Sequence, residues 1–151
     1  MGTLAVGDMA PDFSSVDSDG RPISLSQFAG KTVVLYFYPK ASTPGCTREG
    51  IRFNERLDWF RQHDVVVLGV STDSPQAQAK FRQRYSLAFT MVSDRDRKIS
   101  SSYGILRETG TAARTTFLIG RDGTIAAVIQ GVKPEEHAEK VIREIEELGM
   151  A

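Results

Sequence analysis

The sequence predicts an α/β fold in which helices flank a central mixed β-sheet, with a β-hairpin at the N-terminal end. Short apolar runs alternate with segments of helical apolar spacing, an order typical of parallel strands joined by helices. Asp-Gly pairs at positions 19–20 and 122–123 each separate two strand-like segments, which predicts two hairpins. Because no linker or repeat interrupts the 151 residues, of which 40% are hydrophobic, we expect one domain over residues 1–151.

The strands are predicted from short apolar runs and from turn residues. Residues 32–38 are almost wholly apolar and rich in valine and aromatic side chains, which indicates a strand buried on both faces that ends at Pro39. Residues 65–70 have the same character and predict a second buried strand. The remaining predicted strands belong to the hairpins and cover residues 12–16, 23–25, 115–119 and 124–129.

The helices are predicted from apolar periodicity and from signals at their ends. They cover residues 45–62, 75–85, 94–103 and 134–149. Ser74 supplies a capping hydroxyl and Pro75 suits the first turn, whereas Asp94 is expected to cap the short third helix. The last helix carries one apolar stripe, formed by Val141, Ile142, Ile145 and Leu148.

Charge and hydropathy exclude several classes of partner. The basic and acidic residues both number 19, so that the net charge is zero and no overall field would attract nucleic acid or an acidic membrane. The first eight residues lack a basic segment followed by an apolar one, and no apolar run reaches the length of a membrane span. We therefore expect a cytoplasmic protein that acts on a small neutral substrate.

The chain contains one cysteine, Cys46. One thiol excludes an internal disulfide, a Cys-x-x-Cys redox motif and a thiolate metal cage. Its two histidines, His63 and His137, are far apart in the sequence and do not indicate a metal site, so we expect neither a metal nor a cofactor. The remaining alternatives are a buried, inert cysteine and a reactive thiol.

The surroundings of Cys46 favour the reactive thiol. Cys46 follows the strand at residues 32–38 and begins the helix at 45–62, where unpaired N–H groups and the helix dipole stabilise an anion. A helix N-terminus contributes about 0.3–1 kcal/mol. An ordinary cysteine has a pKa of about 8.5 and one unit corresponds to ~1.4 kcal/mol, so a thiolate at neutral pH needs a second positive group. Arg48 is near in sequence but points away on a helix, which makes Arg114 the better candidate if its strand adjoins residues 32–38.

These residues reproduce the signature of a known family. Pro39, Thr43 and Cys46 form the pattern Pro-x-x-x-Thr-x-x-Cys, and Arg114 stands before an apolar strand. In this the sequence resembles the peroxiredoxins, and the likeness runs over nearly the whole chain. It is similar in particular to the bacterioferritin-comigratory-protein, or PrxQ-like, branch, through residues 7–13, 37–39 and 46–49.

The resemblance implies a thioredoxin-like fold and a thiol-dependent peroxidase that reduces hydrogen peroxide and organic hydroperoxides. Cys46 would attack the peroxide and become a sulfenic acid. Arg114 would stabilise the thiolate and the leaving oxygen, Thr43 would hydrogen-bond to the peroxide and the thiolate, and the Cys46 N–H would add a fixed donor. Pro39 would shield the thiolate from water, and Glu49 would hold Arg114 in place.

The chain departs from many members of that branch because it has no second, resolving cysteine. The two positions where such a cysteine stands are occupied by Ile51 and, in the next helix, by residues such as Arg82. The resemblance then implies an external thiol as reductant: thioredoxin, glutaredoxin or a low-molecular-weight thiol. We expect a monomer or a weak homodimer.

Two other functions remain open from the sequence. A thiol-disulfide oxidoreductase on the same fold is disfavoured because Thr43 stands where a Cys-x-x-Cys motif has its first sulfur. A non-catalytic redox sensor shares the first chemical step with a peroxidase, and only turnover with a reductant separates the two.

Overall fold

The computed structural model describes residues 4–150. Residues 1–3 and 151 lie outside the described part. They belong to the predicted domain, and residues 1–3 also belong to the N-terminal segment for which the sequence predicts no targeting signal. The strands are β1 Ser14–Asp17, β2 Pro22–Ser24, β3 Thr32–Phe37, β4 Val65–Ser71, β5 Thr90–Ser93, β6 Thr115–Ile119 and β7 Ile125–Gln130. The helices are α1 Pro44–Glu55, α2 Leu57–Gln62, α3 Pro75–Tyr85, α4 Lys98–Ser102 and α5 Pro134–Glu147, and a 3-10 helix covers Leu25–Phe28.

The described strands form one sheet in the order β2-β1-β5-β4-β3-β6-β7. The central strands β3, β4 and β5 are parallel, whereas β1 and β2 at one side and β6 and β7 at the other pair antiparallel. The mixed sheet, the N-terminal hairpin and the pairing of β3 with the strand after Arg114 are therefore confirmed. β5 was not predicted, because its four residues are too few to show a period and it forms by pairing with β4 and β1.

Two of the predicted helices differ from the structure. The helix predicted over residues 45–62 is wrong as a single element: it is divided into α1 and α2 at Arg56, whose N–H donates to the Phe53 carbonyl, three residues earlier, at 3.2 Å. Neither glycine nor proline marks this position. The Arg56 side chain forms an ion pair with Glu139 of α5. At Arg56 the backbone has φ −103° and ψ 9°, and no local sequence signal marks this departure from helical geometry.

The short helix α4 begins at Lys98, four residues later than predicted. Arg97 has a φ of 65°, and this left-handed conformation ends the turn before the helix. Asp94 nevertheless serves the helix as expected, because its carboxylate accepts the N–H groups of Ile99 at 2.9 Å and Ser100 at 2.8 Å.

The sheet separates two apolar cores. One side packs α1, α2, α3 and α5 around Phe53, Phe60 and Phe81, and the other packs the N-terminal segment and α4 around Phe37 and Tyr103. The last helix buries its apolar stripe as predicted except at the end: Leu148, 47% exposed, follows the final helical residue and faces solvent. Among residues 4–150, no helix combines the length and the apolar character needed to span a membrane.

Candidate active site

Cys46 lies in the first turn of α1, which is joined to the carboxyl end of β3 by the loop at residues 38–43. Pro44 is the first helical residue, and the first intrahelical bond joins the Thr47 N–H to the Thr43 carbonyl at 2.8 Å. Helix geometry therefore leaves the N–H of Cys46 without an intrahelical acceptor, and Thr43 makes no side-chain capping bond. Cys46 is 2% exposed, so its sulfur is almost wholly enclosed by protein.

The loop between β3 and α1 is fixed by a neighbouring strand end. The N–H of Ala41 donates to Asp73 Oδ2 at 2.8 Å, and Asp73 follows β4, which is parallel to β3. Ser42 has a φ of 65°, a left-handed conformation that costs a residue other than glycine about 1 kcal/mol or more. The chain accepts this strain in the loop that turns β3 into the helix carrying Cys46.

Arg114 contacts the sulfur of Cys46 because β6 pairs antiparallel with β3. The register places Thr115 opposite Phe37, which brings Arg114 to the end of β3 where α1 begins. Its Nη2 donates to Cys46 Sγ at 3.5 Å, and its Nη1 donates to Glu49 Oε1 at 2.6 Å. Burial by itself lowers the pKa of Arg114, but the charges of Glu49 and Cys46 raise it on balance, so the guanidinium stays cationic.

Glu49 is wholly buried one turn along α1 from Cys46. Its second oxygen, Oε2, accepts from His137 Nδ1 at 2.5 Å, and His137 Nε2 lies 2.8 Å from Thr116 Oγ1. Both carboxylate oxygens therefore have partners, as a buried charge requires.

The other predicted cation does not reach the sulfur. Arg48 is 57% exposed and its Nε lies 3.8 Å from Glu135 of α5, in agreement with the expectation that a residue two positions along the helix points away. Of these two arginines, the structure brings only Arg114 to Cys46.

Thr43 and Pro39 lie in the segment that leads from β3 to α1. Thr43 is half-buried and its hydroxyl donates to the Lys40 carbonyl at 2.7 Å. The hydroxyl has one proton, so in this arrangement it accepts a further hydrogen bond but does not donate one to sulfur. Pro39 is half-buried and is the second residue after the end of β3.

Residues 6–128 match the AhpC/TSA family. The chain belongs to that family. A relative from Coxiella burnetii named putative peroxiredoxin bcp is 40% identical over 147 residues, which are 93% of this chain and 97% of the relative. The chain is thus a peroxiredoxin. Such a protein is a thiol-dependent peroxidase, an enzyme that takes a peroxide as substrate and a thiol as reductant.

Solved structures agree with the fold and the branch. The peroxidoxin BcpB of Mycobacterium tuberculosis superposes with a TM-score of 0.89 at 32% identity, covering 94% of this chain and 96% of that one. A bacterioferritin comigratory protein of Xanthomonas campestris, described by its alkyl peroxide reduction activity, has a TM-score of 0.84 at 32% identity and covers 89% and 90% of the two chains. The predicted thioredoxin-like fold is confirmed, and the peroxiredoxin is a one-cysteine form of the bacterioferritin-comigratory and PrxQ type.

Sequence reasoning missed three residues of the peroxiredoxin's site: Gly45, Thr116 and His137. His137 is 88 positions from Glu49, and no local pattern relates a histidine early in a helix to a carboxylate so distant. Gly45 carries a weak signal, since a glycine inside a first helical turn is unfavourable and calls for a reason. That reason is space: a Cβ on Gly45 would lie 3.2 Å from Arg114 Nη2 and 3.6 Å from Pro134 Cγ.

Replacing Gly45 by alanine should therefore slow the oxidation of Cys46 without destabilising the peroxiredoxin. The added methyl group displaces the guanidinium by a few tenths of an ångström, and we expect an oxidation rate about threefold lower from the weakened contact. The free energy of unfolding should stay equal or rise by up to about 1 kcal/mol, because alanine favours a helix over glycine. Stopped-flow oxidation and urea unfolding measure the two quantities.

Gly50→Ala is the matched control in the same helix. Its Cβ would meet Leu87 Cδ1 at 3.2 Å and Phe81 Cζ at 3.5 Å, which are core atoms on the side away from Arg114. This variant should lose stability and keep its oxidation rate. A Gly45→Ala variant that oxidises as fast as the original chain would show that this close approach does not orient Arg114.

Proposed function

We propose that Cys46 is the residue that attacks the peroxide, with Arg114 as the cation that stabilises the thiolate and the leaving oxygen. The 3.5 Å contact between Arg114 Nη2 and Cys46 Sγ carries this proposal. It places a permanent positive charge beside the one thiol of the chain, at a helix N-terminus that favours an anion as well.

The reaction proceeds by displacement at oxygen. The sulfur of Cys46 forms a bond to the terminal oxygen of the hydroperoxide while the O–O bond breaks, which oxidises the sulfur by two electrons to a sulfenic acid. The leaving oxygen departs as alkoxide or hydroxide and takes a proton from solvent, giving alcohol or water. Arg114 and the Cys46 N–H donate to the oxygens on which charge develops.

Thr43 and Pro39 shape the approach of the substrate in this proposal. Because the Thr43 hydroxyl already donates to Lys40, it accepts from the O–H of the hydroperoxide and thereby turns the terminal oxygen toward sulfur. Pro39 removes one backbone N–H from the loop and limits water beside the thiolate. Glu49 holds Arg114 through its Oε1.

Hydrogen peroxide and alkyl hydroperoxides are the proposed substrates. They are small and neutral, which suits a buried thiol, Cys46 being 2% exposed, and a chain of zero net charge. The alkyl peroxide reduction ascribed to the Xanthomonas campestris relative supports the extension to alkyl hydroperoxides.

The sulfenic acid is recovered by thiols from outside the chain. One thiol condenses with the sulfenic acid to a mixed disulfide and releases water, and a second thiol then reduces that disulfide and restores Cys46. Thioredoxin, glutaredoxin and low-molecular-weight thiols all supply this chemistry. We propose that the chain works in the cytoplasm, where such thiols are kept reduced, as a monomer or weak homodimer.

Treatment with one equivalent of peroxide and no thiol should leave a sulfenic acid that reacts with dimedone. Mass spectrometry should find one adduct, on Cys46, because the chain has no second sulfur that forms a disulfide with it. Excess peroxide should convert the same residue to sulfinic and sulfonic acid, with activity falling in parallel, and prior addition of a thiol should protect it.

Two outcomes would contradict the proposed cycle. A disulfide-linked dimer without a dimedone adduct would replace the external-thiol mechanism by one between subunits. A chain that forms the adduct but is returned to the thiol by none of the candidate reductants would be a sensor and not a peroxidase.

A further inference from the structure

A buried chain of polar groups connects Cys46 to the C-terminal helix. Cys46 Sγ accepts from Arg114, Arg114 donates to Glu49, Glu49 accepts from His137, and His137 bonds to Thr116. These side chains come from α1, from the residue before β6, from β6 itself and from α5. Glu49, His137 and Thr116 are each no more than 1% exposed.

We propose that His137 is a positioning residue of the peroxide-reducing site, which holds Glu49 so that Glu49 in turn holds Arg114 against Cys46. The inference rests on the proposed roles of Cys46 and Arg114 and adds to them a residue that touches neither the sulfur nor the substrate.

The burial of Glu49 makes the His137 contact necessary. A carboxylate accepts on both oxygens and has no proton to donate, so His137 Nδ1 is the donor in the 2.5 Å contact with Oε2. The surroundings offer little else, because the imidazole ring lies beside the Phe53 ring with 5.6 Å between ring centroids. Without His137, Oε2 would lose its partner in an apolar environment, and a buried charged oxygen without a hydrogen bond is unfavourable.

The carboxylate would respond by changing its contact with Arg114. An arginine and a carboxylate readily form two parallel bonds, and a freed Oε2 allows Glu49 to take this bidentate arrangement. Both terminal nitrogens of Arg114 would then face Glu49, and Nη2 would leave the sulfur that it now reaches at 3.5 Å. His137 prevents this by occupying Oε2. Nη1 of Arg114 then bonds to Glu49, and Nη2 stays free to bond to Cys46.

Thr116, His137 and Glu49 form a hydroxyl–imidazole–carboxylate series, but Thr116 is not a nucleophile here. Its side chain lies within the sheet at 0% exposure, where no substrate reaches it. The hydroxyl instead bonds His137 Nε2 at 2.8 Å and fixes the orientation of the ring. The hydrogen bonds therefore lead from Thr116 in β6 through His137 to Glu49, and they orient Glu49 for its contact with Arg114.

The helix that carries His137 lies beyond the region matched by the family. That match ends at residue 128, whereas α5 begins at Pro134. The same helix reaches the site once more, because Pro134 limits the space beside Gly45. The C-terminal helix is thus a wall of the site as well as a part of the core.

His137→Leu should lower the second-order rate of Cys46 oxidation about fivefold, measured by stopped flow at fixed pH with hydrogen peroxide. His137→Asn should recover most of the rate, because its amide nitrogen stands near the place of Nδ1 and donates to Glu49. His137→Gln, whose amide reaches the place of Nε2, should recover less. Val141→Ala, fully buried one turn later in α5, should lower the free energy of unfolding and leave the rate unchanged.

A double-mutant cycle separates positioning from general stability. If His137 acts through Glu49, His137→Leu should have little further effect on the rate in a chain that already carries Glu49→Gln. The inference is overturned if a folded His137→Leu oxidises as fast as the original chain, if Asn and Gln recover the rate equally, or if the two effects multiply. Failure of the original chain to react with peroxide would instead overturn the proposed function.

Discussion

Replacing Cys46 by serine should abolish peroxide consumption in the presence of a reducing thiol. Serine has nearly the same shape, and its hydroxyl accepts a hydrogen bond from Arg114 as the sulfur does. Oxygen at this position is not a nucleophile toward peroxide at neutral pH and passes through no sulfenic acid. We expect the remaining rate to equal that of the thiol and peroxide without protein, measured by following peroxide loss.

The serine variant also isolates the role of the single thiol, because no other cysteine exists to take its place. Thermal unfolding should change little, since the exchange leaves the packing of α1 on α5 intact. The central proposal is wrong if the serine variant retains turnover clearly above the protein-free rate, and Cys46→Ala provides a second variant without any polar atom at this position.

Arg114→Ala should slow the oxidation of Cys46 by more than tenfold. A hydrogen bond to a charged group contributes about 1.5–3 kcal/mol, and each ~1.4 kcal/mol in the barrier is tenfold in rate, so the expected loss approaches about a hundredfold. The thiolate absorbance at pH 7 should fall in the same variant. Stopped-flow fluorescence and absorbance near 240 nm measure the two effects.

Arg114→Lys tests whether charge alone suffices. A lysine keeps the positive charge but has one nitrogen, so it does not donate to Glu49 and to the sulfur through separate groups in fixed directions. We expect a rate between those of the alanine variant and the original chain. Arg48→Ala is the matched control, since Arg48 is exposed and pairs with Glu135, and it should retain the full rate. The assignment moves away from Arg114 if its alanine variant keeps the original rate and thiolate absorbance.

Much of the fold follows from local signals. The two Asp-Gly turns, the capping of α3 by Ser74 and the buried runs at β3 and β4 agree with the structure because each depends on residues a few positions apart. β5 and the division between α1 and α2 were not predictable in this way. Pairing with two neighbouring strands forms β5, and the contact of Arg56 with Glu139 accompanies the break.

The residues of the candidate site also fall into two groups: those predictable from neighbouring residues and those that depend on long-range packing. The position of Cys46 at a strand end and a helix start is local, and the pattern of Pro39 and Thr43 before it is contained in eight residues. Arg114 required one further step, the pairing of two strands, which the apolar runs made a reasonable inference. His137 required the packing of α5 on α1, for which the sequence has no signal beyond an amphipathic helix.

The sequence by itself determined that this protein has one thiol, that the thiol starts a helix after a buried strand, and that no internal disulfide forms with it. These are properties of composition and of neighbouring residues. Only the tertiary structure decided which charged groups face that thiol and in what orientation. Arg114 and His137 are 65 and 88 positions from Glu49 in the sequence, and the three residues meet only when β6 and α5 are packed. Buried charges take the partners that the fold places beside them, and long-range packing, unlike a turn or a cap, is not contained in any short segment of the chain.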